Sequence, residues 1–298
     1  MAAVYRHYDQ QTLDAAYNNR AAVPAHGEIL ARWERASRAV RERGLGVGVT
    51  KLDLPYGPTA RQKLDVFLPA GPAPRGGWPA LVFFHGGYWQ ALHKDVFSFL
   101  APPLNEAGFA LVTPTYELCP DVSMSDIVDQ VRRALAWVQD YGAGLQLDPS
   151  SIVVAGHSAG GHIAALLAHA SWPDPPPLVG ALALSGLYDL EPVRLSYLNK
   201  VLNLDRDEAA ALSPLRHIKP YGAPLVLAMG AAELPGFHDQ QRDYASALET
   251  AGVPARATLA TPGDDHFTIV ERLVDRKAAI WPVLCDLLRP GAAFARMT

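Results

Sequence analysis

Residues 153–162 read VVAGHSAGGH, and within them Gly156 and Gly160 stand two residues to either side of Ser158. A serine hydroxyl becomes a nucleophile toward acyl carbon only when a tight turn exposes it and a base is at hand. The flanks supply the turn: an apolar run, SIVVA, ends just before the motif, and the helical stretch AGGHIAALLAHA begins at Ala159. A strand that becomes a helix in so few residues needs small side chains around the serine. The helix then aims its amide hydrogens and positive dipole end at the reacting oxygen. The spacing of glycines and serine alone arises often by chance; strand before and helix after mark Ser158 as a nucleophile.

The base must come from elsewhere in the chain. Of ten histidines, only His266 follows the last expected strand on a loop, TPGDDHFT, which puts it at the same carboxyl edge of a sheet as Ser158. His157 and His162 belong to the serine motif, His169 and His217 fall on helical patterns, and His7 and His26 lie outside the sheet. An acid is also needed, to hold the imidazole in its working tautomer and offset the charge it acquires. The stretch GAAELPGFHDQ offers Glu233 in the turn directly after the seventh expected strand and Asp239 in the helix beyond. Glu233 is better placed and Asp239 stays open; Asp264 and Asp265 are too near His266 along the chain to reach behind its ring. Finally, HGGYW at 85–89 follows the third expected strand. Its glycines let the backbone turn the amides of Gly87 and Tyr88, with Gly86 as a further donor, toward an oxyanion shared with the amide of Ala159.

These groups need a scaffold that brings strand ends together. Eight short runs read as strands, at 47–54, 63–68, 80–84, 109–113, 151–155, 180–184, 224–229 and 255–260. The first two alternate polar and apolar residues, as half-exposed edge strands do; the next five are nearly continuously apolar and expect burial on both faces. Helical periodicity intervenes at 126–140, 159–170, 238–251 and 268–288, and this alternation implies a mostly parallel sheet with helices on both faces. An amphipathic helix is expected at 24–43, between Pro24 and Gly44. The stretch 187–219 breaks the strand rhythm with helix-like pieces and reads as an insertion over the site. PAGPAPRGGWP (69–79) and WPDPPP (172–177) read as surface loops. The chain is expected to be one domain over 1–298, with a helical cap segment at 1–44 and a lid at 187–219.

Composition narrows the partners. With 26 Lys and Arg against 30 Asp and Glu, the formal charge of −4 offers no basic surface for nucleic acid. Cys119 and Cys285 lack the spacing of a zinc site or redox pair, and read as thiols in a reducing compartment. No apolar run approaches the roughly 20 residues of a membrane span, and the first thirty residues lack an export signal, so a cytoplasmic protein with no membrane partner is expected.

HGGYW, GHSAGG (156–161), GAAELPGF (230–237) and DDHF (264–267) resemble the α/β-hydrolase fold in its hormone-sensitive-lipase-like branch. The aromatic pair after the two glycines is similar to the H-G-G-x-W signature of arylformamidases, or kynurenine formamidases, and the likeness runs over about residues 45–290. The helical N-terminal segment resembles the cap of bacterial members. This resemblance implies hydrolysis of N-formyl-L-kynurenine to kynurenine and formate without metal or cofactor. It supports Ser158, Glu233 and His266 as the triad, although related enzymes often use Asp as the acid. It also brings sheet-edge homodimers into view. An aromatic leaving group would need an aromatic wall, for which Tyr88, Trp89, Tyr188 and Phe237 are candidates. Two alternatives stand beside this reading: a carboxylesterase for short acyl or aryl esters, and a non-catalytic protein that uses the pocket to hold a ligand.

Overall fold

A computed structural model of the protein describes residues 2–169 and 178–289; the Pro-rich loop expected at 172–177 lies outside the described residues. The chain enters through two short helices, α1 (Gln10–Ala16) and α2 (Asn19–Ala22), each started by a side-chain oxygen, of Asp9 and Asn18, that accepts an amide of the first turn. They are too short to show a periodic stripe in the sequence. The helix α3 (His26–Arg43) is the amphipathic one expected. It buries Ile29, Trp33 and Val40, and Gly44 ends it in the left-handed conformation.

All eight expected strands form, as β1 (Val49–Pro55), β2 (Lys63–Leu68), β3 (Trp78–Phe84), β4 (Ala110–Pro114), β5 (Leu147–His157), β6 (Leu178–Leu184), β7 (Leu225–Gly230) and β8 (Ala257–Thr261). They make one sheet in the order β1-β2-β4-β3-β5-β6-β7-β8. The β1–β2 and β2–β4 pairs are antiparallel and every other pair is parallel. Between the strands lie α4 (Ala101–Glu106), α5 (Met124–Tyr141), α6 (Ala159–His169), α7 (Glu191–Leu195), α8 (Asn199–Leu202), α9 (Arg206–Ala211), α10 (Pro235–Thr250) and α11 (Ile280–Leu288). No described helix is long and apolar enough to cross a membrane.

Strand alternation sorts the core into two apolar layers. Ala80, Val82 and Phe84 of β3, with Ile152 and Val154 of β5, face the layer that contains Ile127, Val131 and Leu135 of α5 and Ile163 of α6. Leu81, Phe83, Val153 and Ala155 face the other, with Trp33 of α3, Phe97, and Leu284 and Leu288 of α11. Burial on both sides explains why the central strands read as unbroken apolar runs.

Two expectations are corrected. The strand at 63–68 alternates like an edge strand, yet β2 is the second strand of the sheet and is buried along nearly its whole length. Its polar Asp65 points inward, where its carboxylate accepts from Lys94 Nζ at 2.8 Å and from Arg41 of α3. The helix expected over 268–288 is two pieces, a 3-10 turn at Thr268–Leu273 and α11. Pro282 has no amide hydrogen, so it is accommodated in the first turn of a helix and not in the middle of a longer one.

The Asp65 cluster fastens α3 to the sheet. Lys94 Nζ donates to Asp53, Asp65 and Asp95 at 2.8–2.9 Å, and the side chains of both Lys94 and Asp65 are fully buried. Removing one partner of a buried ion pair leaves the other charge uncompensated in a medium that solvates it poorly. Lys94→Met should therefore lower the stability by about 3 kcal/mol, seen in urea unfolding as a lower midpoint with an unchanged slope.

Candidate active site

The loops that follow β3, β5, β6, β7 and β8 meet at the carboxyl edge of the sheet. After β5 the chain reverses within one residue, and Ser158 takes φ +58°. That conformation costs roughly 1–3 kcal/mol for a residue with a side chain. It persists because strand and helix are in backbone contact there: a Cβ on Gly160 would lie 1.9 Å from the Phe84 carbonyl, and one on Gly156 2.2 Å from that of Gly160. The Ser158 amide donates to Leu184 O at 2.8 Å, which ties the turn to β6.

His266, on the loop after β8, has its Nδ1 2.7 Å from Glu233 Oε2. An ionised carboxylate only accepts, so Nδ1 carries the hydrogen and Nε2 is left unprotonated on the neutral ring. The other carboxylate oxygen, Oε1, accepts from the Ser185 hydroxyl at 2.5 Å and the Gly230 amide at 2.7 Å. Asp239 is engaged elsewhere, accepting from Tyr8 and paired with Arg242. Asp264 pairs with Arg272, and Asp265 accepts from the amides of Phe267 and Thr268. The acid behind the His266 ring is Glu233.

The segment after β3 carries Gly87, Tyr88 and Trp89 in succession at φ +109°, +49° and +56°. Gly87 also has no room for a Cβ, which would meet Ala91 O at 2.2 Å. The strain at Tyr88 and Trp89 is offset by the fully buried Trp89 side chain, which meets the His162 ring edge-on at 5.0 Å; burying a large apolar side chain contributes roughly 2–3 kcal/mol. Among the described residues the amides of Gly86, Gly87 and Tyr88 donate to no protein group. Ala159 opens α6, where first-turn amides have no intrahelical acceptor. Beneath this loop His85 stacks on Tyr116 at 4.3 Å, and its ring is hydrogen-bonded to Gly86 O and Thr115 Oγ1.

Ser158, His157, His266, Gly87 and Tyr88 line one cavity of about 370 Å³. Its other walls come from the N-terminal segment (Asn18, Asn19, Arg20, Leu30, Trp33), from Gln90, Ala91 and Leu92, from Phe267, and from Tyr197 and Leu198 of the 187–219 stretch. The aromatic wall expected of Trp89, Tyr188 and Phe237 is corrected here. Trp89 points into the core, Tyr188 is stacked on Tyr244 at 4.4 Å, and Phe237 packs against the His266 ring at 4.4 Å. The aromatic side chains that line the cavity are Trp33, Tyr88, Tyr197 and Phe267.

A family model described as BD-FAE matches residues 64–172. Kynurenine formamidase from Danio rerio is 34% identical over 88% of this chain and 89% of its own length. The Salmo salar enzyme of the same name is 36% identical over 78% and 80%. The chain belongs to the kynurenine formamidase family. A solved structure from Silicibacter sp. tm1040, described provisionally as a thioesterase, superposes with a TM-score of 0.80 at 33% identity over 92% of this chain and 98% of its own. This member of the kynurenine formamidase family is thus a hydrolase of the α/β-hydrolase fold.

The family member's site holds residues that the sequence did not single out. Ser185 follows β6 at φ +49° and holds Glu233, but no motif marks it. His157, inside the serine motif, donates from Nε2 to His266 O at 2.7 Å and so positions the loop that carries the base. Asn19, Arg20, Trp33 and Tyr197 come from segments whose meeting is a tertiary event.

Several of these rings are buried as neutral imidazoles. Burial pushes His85 down to about 3 and His162 to about 4, and burial followed by the nearby His266 holds His157 well below the ordinary 6.5. The unfolded chain protonates such groups near 6.5 while the folded chain does not, so below 6.5 the unfolded state binds more protons. Stability is therefore present above pH 6.5 and lost as pH falls from there toward 4. The thermal midpoint followed by circular dichroism should be flat from about pH 7 to 8 and decline below about 6.5, with a shallower decline in His162→Gln.

Proposed function

We propose that this protein hydrolyses N-formyl-L-kynurenine to L-kynurenine and formate through a formyl ester on Ser158. The observation that carries the reading is the His266–Glu233 hydrogen bond at the cavity that Ser158 lines, with a row of unengaged amides beside it. His266 Nε2 takes the Ser158 proton as Oγ attacks the formyl carbon. The carbonyl oxygen gains negative charge and is met by the amides of Gly87, Tyr88 and Ala159, with Gly86 as a further donor. The C–N bond then breaks, and the proton held on Nε2 passes to the departing aryl amine. Water, deprotonated by the same imidazole, attacks the formyl ester; formate leaves and Ser158 recovers its proton. The formyl group needs almost no acyl pocket, while the Trp33, Tyr88, Tyr197 and Phe267 wall suits an aryl leaving group. The name of the Danio rerio and Salmo salar relatives supports the same substrate.

The test compares N-formylkynurenine with short p-nitrophenyl esters. The formamide should have the higher kcat/KM, and Ser158→Ala should lower its turnover by about a thousandfold or more. Efficient ester cleavage with negligible formamide cleavage would replace the substrate while leaving the hydrolase intact.

Ser185 sharpens the account of the acid. Ser185→Ala leaves Glu233 Oε1 only the Gly230 amide, so the carboxylate should hold His266 less firmly. Loss of one hydrogen bond to a charged group predicts a fall in kcat of about tenfold. KM for N-formylkynurenine should change little, as steady-state kinetics would show.

A further inference from the structure

Behind the oxyanion loop stand polar groups that the proposed reaction does not use, and none of Arg61, His85 and Thr115 lines the cavity. Thr115 directly follows β4 and is fully buried. Its amide donates to Lys63 O at 3.0 Å and its carbonyl accepts from the Tyr56 hydroxyl at 2.5 Å, so its backbone is pinned on both sides. Its own hydroxyl lies 3.1 Å from His85 Nε2. Arg61, just before β2, donates to Tyr116 O at 2.7 Å, Leu92 O at 2.8 Å and Thr115 Oγ1 at 3.3 Å, and forms no ion pair among the described residues.

The direction of each hydrogen in this chain is fixed from both ends. Gly86 O, 2.8 Å from His85 Nδ1, only accepts, so Nδ1 carries the ring hydrogen. Burial pushes His85 down to about 3, which leaves Nε2 unprotonated at neutral pH and able to take the Thr115 hydroxyl hydrogen. At the other end a guanidinium only donates, so Thr115 Oγ1 accepts from Arg61 and keeps its own hydrogen for His85. The chain runs from Arg61 through Thr115 and His85 to Gly86 O without a reversal.

The peptide that receives it is the one whose nitrogen belongs to Gly87. That peptide is trans, so its carbonyl and its N–H point in opposite directions. The bond from His85 to Gly86 O thus aims the Gly87 amide away from His85, and Gly87 lines the cavity with that amide unengaged. A hydrogen bond to the carbonyl also draws electron density from the N–H of the same peptide, and an aligned chain with a permanent charge at its head adds to the effect. The preceding peptide is held likewise, His85 O accepting from the Tyr116 hydroxyl at 2.7 Å. We propose that Arg61, Thr115 and His85 form a positioning relay that aims and polarises the Gly87 amide, so that a cation outside the cavity helps to stabilise the oxyanion inside it. This rests on the oxyanion-loop part of the proposed mechanism and holds for any acyl group that Ser158 attacks, formamide or ester.

The experiment measures kcat and KM on N-formylkynurenine and on p-nitrophenyl acetate, with active sites titrated by a fluorophosphonate, and the Ki of an aryl trifluoromethyl ketone, whose adduct on Ser158 carries the oxyanion. Thr115→Val keeps the shape of the side chain and removes the hydroxyl. In it kcat should fall about tenfold with KM changed by less than about twofold, and Ki should rise about as much as kcat falls. Thr115→Ser, which keeps the hydroxyl, should bring kcat back to within about threefold of wild type. Arg61→Met should lower kcat about fivefold alone and less than about twofold in a Thr115→Val background, because its effect passes through that hydroxyl. Unchanged kcat and Ki in Thr115→Val, or a loss in Thr115→Ser as large as in Thr115→Val, would overturn the relay and leave the hydrolase standing. The comparisons are made on each substrate separately, so a wild-type protein that cleaves only the ester would displace the formamide substrate and the relay would still be decided on the ester. A wild-type protein that cleaves neither would overturn the hydrolytic mechanism and the relay with it.

Discussion

The reversal at Ser158 is the constraint around which the rest of the protein is arranged. A chain that leaves β5 and enters α6 through a single left-handed residue forces the strand end, the helix start and the end of β3 into backbone contact, and only glycine fits at 156 and 160. The parallel neighbours of β5 share its direction, so their ends are delivered to the same edge. There β3 supplies HGGYW and β6 supplies Ser185. One strand further each, β7 and β8 contribute Glu233 and His266. Topology alone brings to one rim residues separated by up to 181 positions along the chain.

Strain at this rim is local and its compensation is spread out. Ser158, Ser185, Tyr88 and Trp89 all sit at positive φ, each costing on the order of 1–3 kcal/mol. Each is held by something specific: Ser158 by Leu184 O, Ser185 by Ala228 O and by its bond to Glu233, Tyr88 by Tyr17 and Asn19, and Trp89 by its buried ring. The neutral rings of His85 and His157 complete the support without adding charge beside the reacting atoms. A protonated ring at either place would compete for the charge that the developing imidazolium and oxyanion need to balance.

How far this was legible in the sequence depended on whether local chemistry or tertiary meeting decided the outcome. Ser158, His266 and Glu233 each follow a strand directly, so their shared edge could be inferred from strand order without knowing the packing. The wall could not. Trp89 and Tyr188 look like ligand-facing aromatics because they adjoin the motif and the insertion, but the twist of the HGGYW segment turns Trp89 into the core, and Gln240 fixes the Tyr188 backbone through its amide at 2.7 Å. Trp33 was visible as part of a buried stripe, yet that stripe covers the core and also reaches the cavity. Asp65 shows the same limit: alternation reported a polar side chain, and only α3 and Lys94 explain why it points inward.

The placement of the N-terminal segment explains how a wall remote in sequence can be part of the site. Trp33 Nε1 donates to Glu271 at 2.9 Å, joining α3 to the turn that begins two residues after His266. Ser37 donates to Val96 O, and Arg41 reaches the Asp65 cluster. At the other end, Tyr5 and Tyr8 donate to Asp189 and Asp239. These ties cross to the β6 side, to α10 and to the His266 loop, so displacing the segment would break contacts on several elements at once. A wall fastened in this way discriminates through the groups it presents. Among the described residues that line the cavity there is no Asp or Glu, and Arg20 on this wall makes no ion pair, which is why the electrostatics of this surface, more than its shape, should decide what the cavity accepts.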